Sequence, residues 1–147
     1  MRIKSFTMQR EAILLGLIAA VLITSGCVES EPETPDETLE TYFDDLTGFS
    51  VDTESAYELL SSEAQSEVDY PDFHQEVTSL ESATNANYEL LTVETLDESE
   101  ETATVEIIYS IEPLQGGSIN QEREIELVTE DENWRVNENF NPYDGSE

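Results

Sequence analysis

The sequence predicts an α+β domain in which N-terminal helices pack on a curved, four-stranded antiparallel sheet. Apolar residues recur at helical spacing in the first half of the domain and alternate with polar residues in the second half. Short polar connections join the alternating segments, as is typical of an antiparallel meander. Because a helix stripe and a sheet face must each bury their apolar side, we expect the helices to cover one face of the sheet.

The first helix is expected to begin at residue 35, where the chain carries three start signals. Thr34 can cap the first amides, Pro35 fits the first turn, and Glu37 completes a capping box. Four residues at i, i+3, i+4 and i+7 form its apolar face: Leu39, Tyr42, Phe43 and Leu46. Gly48 is expected to end this helix.

Two more helices are predicted before the sheet. One covers residues 52–68 with a break near Ser61, and its apolar face contains Ala56, Leu59, Leu60, Ala64 and Val68. The other starts at the Asp-Tyr-Pro-Asp sequence of residues 69–72, and its apolar stripe is Phe73, Val77 and Leu80.

Four strands are predicted at residues 87–95, 102–111, 121–129 and 134–140. The second alternates most regularly, with one side formed by Ala103, Val105, Ile107, Tyr109 and Ile111. The third is expected to bury Ile125 and Leu127. The last is expected to place Trp134, Val136, Glu138 and Phe140 on one face.

The first 26 residues are built like an export signal. A basic head precedes an apolar run over residues 12–23, which is shorter than the roughly 20 residues that a helix needs to cross a bilayer. The next residues, Thr-Ser-Gly-Cys at 24–27, resemble a lipobox. The sequence therefore predicts a signal peptide (1–26) and a lipidated Cys27 that begins a polar tether (27–35). The alternative is an uncleaved signal anchor, and both place the remainder outside the membrane.

The charge balance is strongly acidic, with 35 Asp and Glu residues against 5 Lys and Arg. After Cys27 the only basic residues are Arg123 and Arg135. Such a surface excludes nucleic acid as a partner, because it offers few cations to contact phosphates. It would repel itself in dilute buffer and be screened in brine, which indicates a halophilic protein of the high-salt exterior, with a haloarchaeon as the expected source.

The acidity could also serve to bind a metal ion or to dock a protein. The segment of residues 97–101 is the nearest candidate for calcium, but it lacks the glycine and the ligand spacing of an EF-hand loop. A solvated hairpin tip is the simpler interpretation, and no metal or other cofactor is expected. A docking surface for a basic partner is the second alternative to salt adaptation, and it stays open.

The helix-first order, the sequence Ala-Tyr-Glu-Leu-Leu-Ser at residues 56–61 and the final Trp-Arg-Val at 134–136 resemble the nuclear-transport-factor-like superfamily, including its SnoaL-like and small secreted lipoprotein members. The resemblance covers residues 36–140 and leaves 141–147 as a C-terminal tail. It implies a cone-like fold with a pocket inside the curved sheet. Some members use that pocket for catalysis, and others use it for binding or dimerisation.

Five residues are candidates for the pocket: Tyr42, His74, Tyr109, Trp134 and Glu138. His74 is the only histidine and has a suitable intrinsic pKa for a general base, yet no second catalytic group can be paired with it. Desolvation inside a pocket would raise the pKa of Glu138. The simpler interpretation of Glu138 is an exposed carboxylate, and that of His74 is a flanking helix residue without a role. The rings of the three aromatic candidates would then fill the core.

The function predicted from these observations is a non-catalytic binding or accessory domain, anchored in the cell membrane on its extracytoplasmic face and adapted to high salt. Its expected partners are membrane lipid through Cys27 and a small molecule or an envelope protein. One alternative is a pocket enzyme of the isomerase or hydratase type that uses Glu138 or His74. Another is a structural module that dimerises through its open sheet face.

Overall fold

The computed structural model describes residues 34–144. The predicted signal peptide, Cys27 and the tether up to residue 33 lie outside the described residues. Four helices precede four strands, which confirms the α+β class: α1 (Pro35–Thr47), α2 (Thr53–Glu58), α3 (Ser62–Glu67), α4 (Tyr70–Ala83), β1 (Ala86–Glu98), β2 (Thr102–Pro113), β3 (Ile119–Glu130) and β4 (Asn133–Val136). No helix in this range is long and apolar enough to cross a bilayer.

Helix α1 begins and ends where its sequence signals predict. The Thr34 side chain accepts a hydrogen bond from the Glu37 amide at 3.4 Å, and Pro35 occupies the first turn. All four residues of the predicted apolar face are buried: Leu39, Tyr42, Phe43 and Leu46. At the C-terminus, the Gly48 amide donates to the Asp44 carbonyl at 2.7 Å. A Cβ atom on Gly48 would lie 2.5 Å from that same carbonyl oxygen, which explains why glycine stands there.

The second predicted helix is two helices, because the chain between them pairs with the sheet. Leu60 forms an isolated parallel bridge with Val136. The Ser61 amide donates to the Val136 carbonyl, and the Val136 amide donates to the Leu59 carbonyl, both at 2.9 Å. Buried Ser61 also caps α3 by accepting from the Ala64 amide at 3.1 Å. The prediction of three helices was therefore one short.

The sheet is an antiparallel meander in the order β1-β2-β3-β4. Strand β2 has the predicted alternation, with Ala103, Val105, Ile107 and Tyr109 buried. The β1–β2 register shifts between Leu90 and Thr92 and again between Thr95 and Asp97. Each shift is an irregularity in a long edge strand, and such bulges increase twist and bend a sheet. The sheet accordingly curls into a half-barrel, and the predicted cone-like shape is confirmed.

Strand β4 ends at Val136, four residues earlier than predicted. The Asn137 amide still donates to the Glu126 carbonyl at 2.9 Å, in register with the Leu127–Val136 pair. The chain then turns toward α1, because the Phe140 amide donates to the Glu138 carbonyl at 2.9 Å and the Phe140 carbonyl accepts from Tyr42 on α1. Phe140 is buried, but Glu138 is exposed and does not continue the inward face of β4. Beyond them, Asn141 and Pro142 are also buried, so this segment packs on the domain.

The core lies between the concave face of the sheet and α1, α2 and α4. Helix α1 supplies its apolar face, α4 supplies Phe73 and Val77, and β3 supplies Ile125 and Leu127, all of them buried. The opposite, convex face of the sheet is open to solvent on β3, where Glu122, Glu124 and Glu126 are exposed. This division leaves the aromatic interior and the rim of the sheet as places for a site.

Candidate functional site

Aromatic rings occupy the concave side of the sheet, where the sequence predicted a pocket. The ring of Phe43 lies 5.2 Å from that of Tyr109, and Tyr109 lies 6.1 Å from Phe140. Phe140 in turn lies 6.5 Å from Tyr42. Tyr42 and Tyr109 are 0% and 3% exposed. The four rings therefore pack against one another as core residues between the helices and the sheet.

The hydroxyl of Tyr42 is engaged inside this ring cluster. It donates a 2.7 Å hydrogen bond to the Phe140 carbonyl. Burial raises the pKa of Tyr42 well above its ordinary value, and the nearby Glu138 and Glu76 carboxylates act in the same direction. The phenol is therefore a neutral structural donor and has no proton available for acid–base chemistry near neutral pH.

Glu138 is exposed at the surface beside β3. Desolvation of its carboxyl raises its pKa, whereas Arg123 and a backbone hydrogen bond from Glu126 lower it and the Glu126 carboxylate raises it further. The net direction is upward. The side chain lies on the outside of the domain and not within the ring cluster, so the structure does not place Glu138 in the predicted pocket.

His74 is also exposed and contacts α2. Its Nδ1 atom lies 2.7 Å from the Thr53 hydroxyl, and its ring centroid is 5.8 Å from that of Tyr70. No hydrogen bond or ion pair joins His74 to Glu138 in the described part of the chain. The structure thus places the two acid–base candidates against different neighbours.

Trp134 lines a groove that the sequence did not indicate. The groove has a volume of about 670 Å³, opens widely to solvent, and is lined by Glu98, Ser99, Glu100, Thr129 and Trp134. The register pairs Thr129 with Trp134 on β3 and β4. The β1–β2 turn reaches the same place because the Thr129 amide donates to the Glu101 carbonyl at 2.9 Å.

The indole of Trp134 is half-buried and packs against the hydrophobic core. The carboxylates of Glu98 and Glu100 are exposed, and within residues 34–144 neither one makes a hydrogen bond or an ion pair. The groove therefore combines one aromatic surface with two acceptors that have no partner in the domain. Alternation and turn signals locate each residue in the chain, but only the curvature of the sheet brings them together.

The turn at residues 97–101 is the candidate calcium segment. Among the described residues, no group of three or more His, Cys, Asp or Glu side chains converges to hold a metal ion. The turn is organised instead by Ser99, whose hydroxyl accepts from the Thr102 amide at 3.0 Å.

The convex face of the sheet carries a row of carboxylates. Glu94 is directly opposite Glu106, and Glu106 is directly opposite Glu124, so three like charges lie side by side across three strands. Desolvation raises the pKa of Glu106, and the Glu122, Glu94 and Glu124 carboxylates raise it further. This face opposes the approach of another acidic surface, including a second copy of the chain.

A similar fold occurs in a SEC-C motif containing protein from Rhodopseudomonas palustris, known from its solution structure. The TM-score is 0.56, the sequence identity is 12%, and the alignment covers 74% of this chain and 79% of that chain. At this identity the likeness concerns the fold alone. No family model and no curated protein matches the chain.

These comparisons correct two expectations. Membership of the nuclear-transport-factor-like superfamily is wrong, because the chain resembles a SEC-C motif containing protein in fold and no family model or curated relative matches it. The haloarchaeal source that the acidic charge balance suggested is likewise unsupported. The physical reason lies in the two short signatures themselves. Residues 56–61 form a short helix and the bridge to β4, and residues 134–136 form a hairpin strand. Both signatures therefore reflect positions in an α+β fold and do not identify a family.

Proposed function

We propose that this protein is a non-catalytic binding domain, attached by a lipidated Cys27 to the extracytoplasmic face of the cell membrane and adapted to high salt. The location rests on the basic head, the short apolar run and the Thr-Ser-Gly-Cys sequence of residues 24–27. Its partner is a ligand or an envelope protein that meets the domain at its surface.

Binding at the surface is supported above all by the packing of the concave face. A ligand inside the cone would need the space that Tyr42, Phe43, Tyr109 and Phe140 fill with contacting rings. Displacing them would open the core and break the Tyr42 hydrogen bond, whose partner is a buried carbonyl. Recognition at the rim of the sheet requires neither change.

Adaptation to high salt is supported by how the acids are arranged. The chain has a formal net charge of −30, and the row of Glu94, Glu106 and Glu124 places like charges in direct cross-strand register. Such repulsion is strong at millimolar ionic strength, whereas the Debye length falls to about 3 Å in 1 M salt. The folded state should therefore depend on salt.

The anchor is tested by expressing the full-length chain and a Cys27→Ser variant in a host that processes bacterial lipoproteins. We expect the original chain in the membrane fraction, with the mass of a diacylglyceryl group on a new N-terminal Cys27. The variant should leave that fraction, while the matched Ser25→Ala variant, which keeps a small residue before the cysteine, should remain in it. An unmodified Cys27 with residues 1–26 intact would refute the anchor.

The dependence on salt is tested by circular dichroism from about 0.01 M to about 3 M KCl. We expect the folded fraction to rise with salt and to approach its maximum near 1 M. Sucrose at matched osmolality serves as the control, since it does not screen charge. A fully folded monomer at millimolar salt would refute this part of the proposal.

A further inference from the structure

The groove beside Trp134 has the chemistry of a cation site. An aromatic face attracts an ammonium or guanidinium group that lies over it, and nearby carboxylates can accept charge-assisted hydrogen bonds from the same group. Here the half-buried indole supplies the face, and Glu98 and Glu100 supply two carboxylates that are unpaired within residues 34–144. Ser99 and Thr129 border the same space with hydroxyl groups.

The cation must come from outside the domain. Arg123 and Arg135 are the only basic residues after Cys27. Arg135 follows Trp134 directly on β4, so the two side chains project from opposite faces of the strand. Arg123 interacts electrostatically with Glu138 and Tyr109, away from the groove.

The shape of the groove favours one kind of occupant. Sites for small molecules usually bury most of the ligand surface, whereas this groove opens widely along the rim formed by the β1–β2 turn and β4. An open rim with a single aromatic anchor suits a side chain presented by a larger partner, as arginine anchors do in protein interfaces.

We propose that the Trp134 groove binds an arginine or lysine side chain from a basic segment of a partner protein. This inference rests on the proposed binding function and specifies its partner. The guanidinium plane stacks on the indole and donates hydrogen bonds to Glu98 and Glu100, an arrangement that arginine satisfies better than lysine because its planar group does both at once.

The test uses the full-length protein in 1 M KCl, where diffuse attraction to the acidic surface is screened and short-range contacts remain. Fluorescence anisotropy measures the binding of labelled hexa-arginine, hexa-lysine and hexa-glutamine peptides. Because Trp134 is the only tryptophan, its emission reports independently on occupancy of the groove. We expect hexa-arginine to bind most tightly and to change the emission, and hexa-glutamine to do neither.

Matched variants distinguish binding at the groove from attraction to the acidic surface as a whole. We expect Glu98→Gln/Glu100→Gln to weaken hexa-arginine binding about tenfold or more, because a charge-assisted hydrogen bond is lost at each position. Glu89→Gln/Glu112→Gln removes the same charge near the other end of the β1–β2 hairpin and should change affinity less than about twofold.

A third variant, Trp134→Leu, keeps apolar packing but removes the aromatic face, and we expect a loss of about threefold to thirtyfold. Circular dichroism establishes that each variant is folded. The two carboxylate variants change only exposed side chains, so the comparison between them does not depend on the fold of Trp134→Leu.

Equal loss in the two carboxylate pairs, or no binding of hexa-arginine, would overturn the assignment. Free arginine amide that binds as tightly as the peptide would also overturn it, in favour of a small cation as the ligand. Failure of the anchor is distinct: an unacylated, soluble protein that still binds hexa-arginine at the groove refutes the membrane location and leaves the groove in place.

Discussion

The hydroxyl of Tyr42 donates a 2.7 Å hydrogen bond to the carbonyl of Phe140, 98 residues further along the chain. A second bond of 2.7 Å runs in the reverse sense, from the Tyr143 hydroxyl to the Leu46 carbonyl. Helix α1 and the segment after β4 thus each supply one side chain and one backbone acceptor. This reciprocal pair closes the domain by joining its first and last described elements.

Removing the hydroxyl of Tyr42 should destabilise the fold measurably. In a Tyr42→Phe variant the Phe140 carbonyl loses its buried donor, and we expect the free energy of unfolding to fall by about 1 to 3 kcal/mol. Urea unfolding in 1 M KCl measures it. Tyr109→Phe is the control, because the Tyr109 hydroxyl makes no hydrogen bond within residues 34–144, and it should change stability by less than about 0.5 kcal/mol. Similar losses in both variants would contradict this role of the Tyr42 bond.

Alkaline pH should unfold the protein through the same two tyrosines. Burial raises the pKa of Tyr143 to about 12 from 10.0, and raises that of Tyr42 further. Below pH 10 both states hold these protons and stability is unaffected. Above pH 10 the unfolded chain releases them while the folded chain retains them, so stability falls as pH rises.

The size of the alkaline effect differs between the two residues. Fully buried Tyr42 contributes a slope of up to about 1.4 kcal/mol per pH unit above about pH 10. Tyr143 contributes over a shorter pH interval, because its pKa is raised less than that of Tyr42. Thermal melts from about pH 9 to about pH 12 measure the slope, because this range begins below the ordinary tyrosine pKa of about 10 and extends well above it. We expect a shallower slope for Tyr42→Phe, and an unchanged slope would contradict the assignment.

Sequence patterns predicted those helices and strands whose boundaries are set by residues close in the chain. The cap at Thr34, the stop at Gly48 and the alternation of β2 are properties of neighbouring residues, and the structure confirms each one. Errors arose where distant backbone groups decide the conformation. A break near Ser61 was expected, but its cause, the pairing of residues 59–61 with Val136, was not. The early end of β4 depends on the turn at Glu138 and on the Phe140 carbonyl that accepts from α1.

The candidate groove could not be predicted from the sequence for a related reason. Its residues come from β1, the following turn, β3 and β4, and they meet because two irregularities bend β1. Leu91 and Leu96, the residues left out of register, are ordinary apolar residues that carry no bulge signal such as glycine. The sequence marks Trp134 as a candidate, but it shows Glu98 and Glu100 only as part of a solvated hairpin tip.

The turn between β3 and β4 offers a stabilising substitution. Asp131 and Glu132 have φ values of 50° and 69°, a left-handed conformation that glycine adopts without strain. We expect Glu132→Gly to raise the free energy of unfolding by about 1 kcal/mol. Glu132→Gln removes the same charge but keeps the side chain, and it should give little of this gain in 1 M KCl. Equal gains in both variants would assign the effect to charge and not to backbone strain.

The carboxylate row on the convex face should make stability depend on both salt and pH through Glu106. Glu106→Gln removes the central charge between Glu94 and Glu124, and we expect its melting temperature to exceed that of the original chain at low salt. The difference should shrink toward zero in 1 M KCl as screening removes the repulsion.

Mild acid should act in the same direction as the substitution. Because the pKa of Glu106 is raised in the folded state, that state binds more protons than the unfolded chain between the two pKa values, so stability rises as pH falls through this interval. Differential scanning calorimetry across pH and KCl concentration measures both effects. The control is Glu112→Gln on the same face of β2, where the cross-strand neighbour is Asn87 and carries no charge. Equal stabilisation by Glu112→Gln and Glu106→Gln would show that the effect comes from the lower net charge. It would then not come from repulsion between glutamates paired across strands.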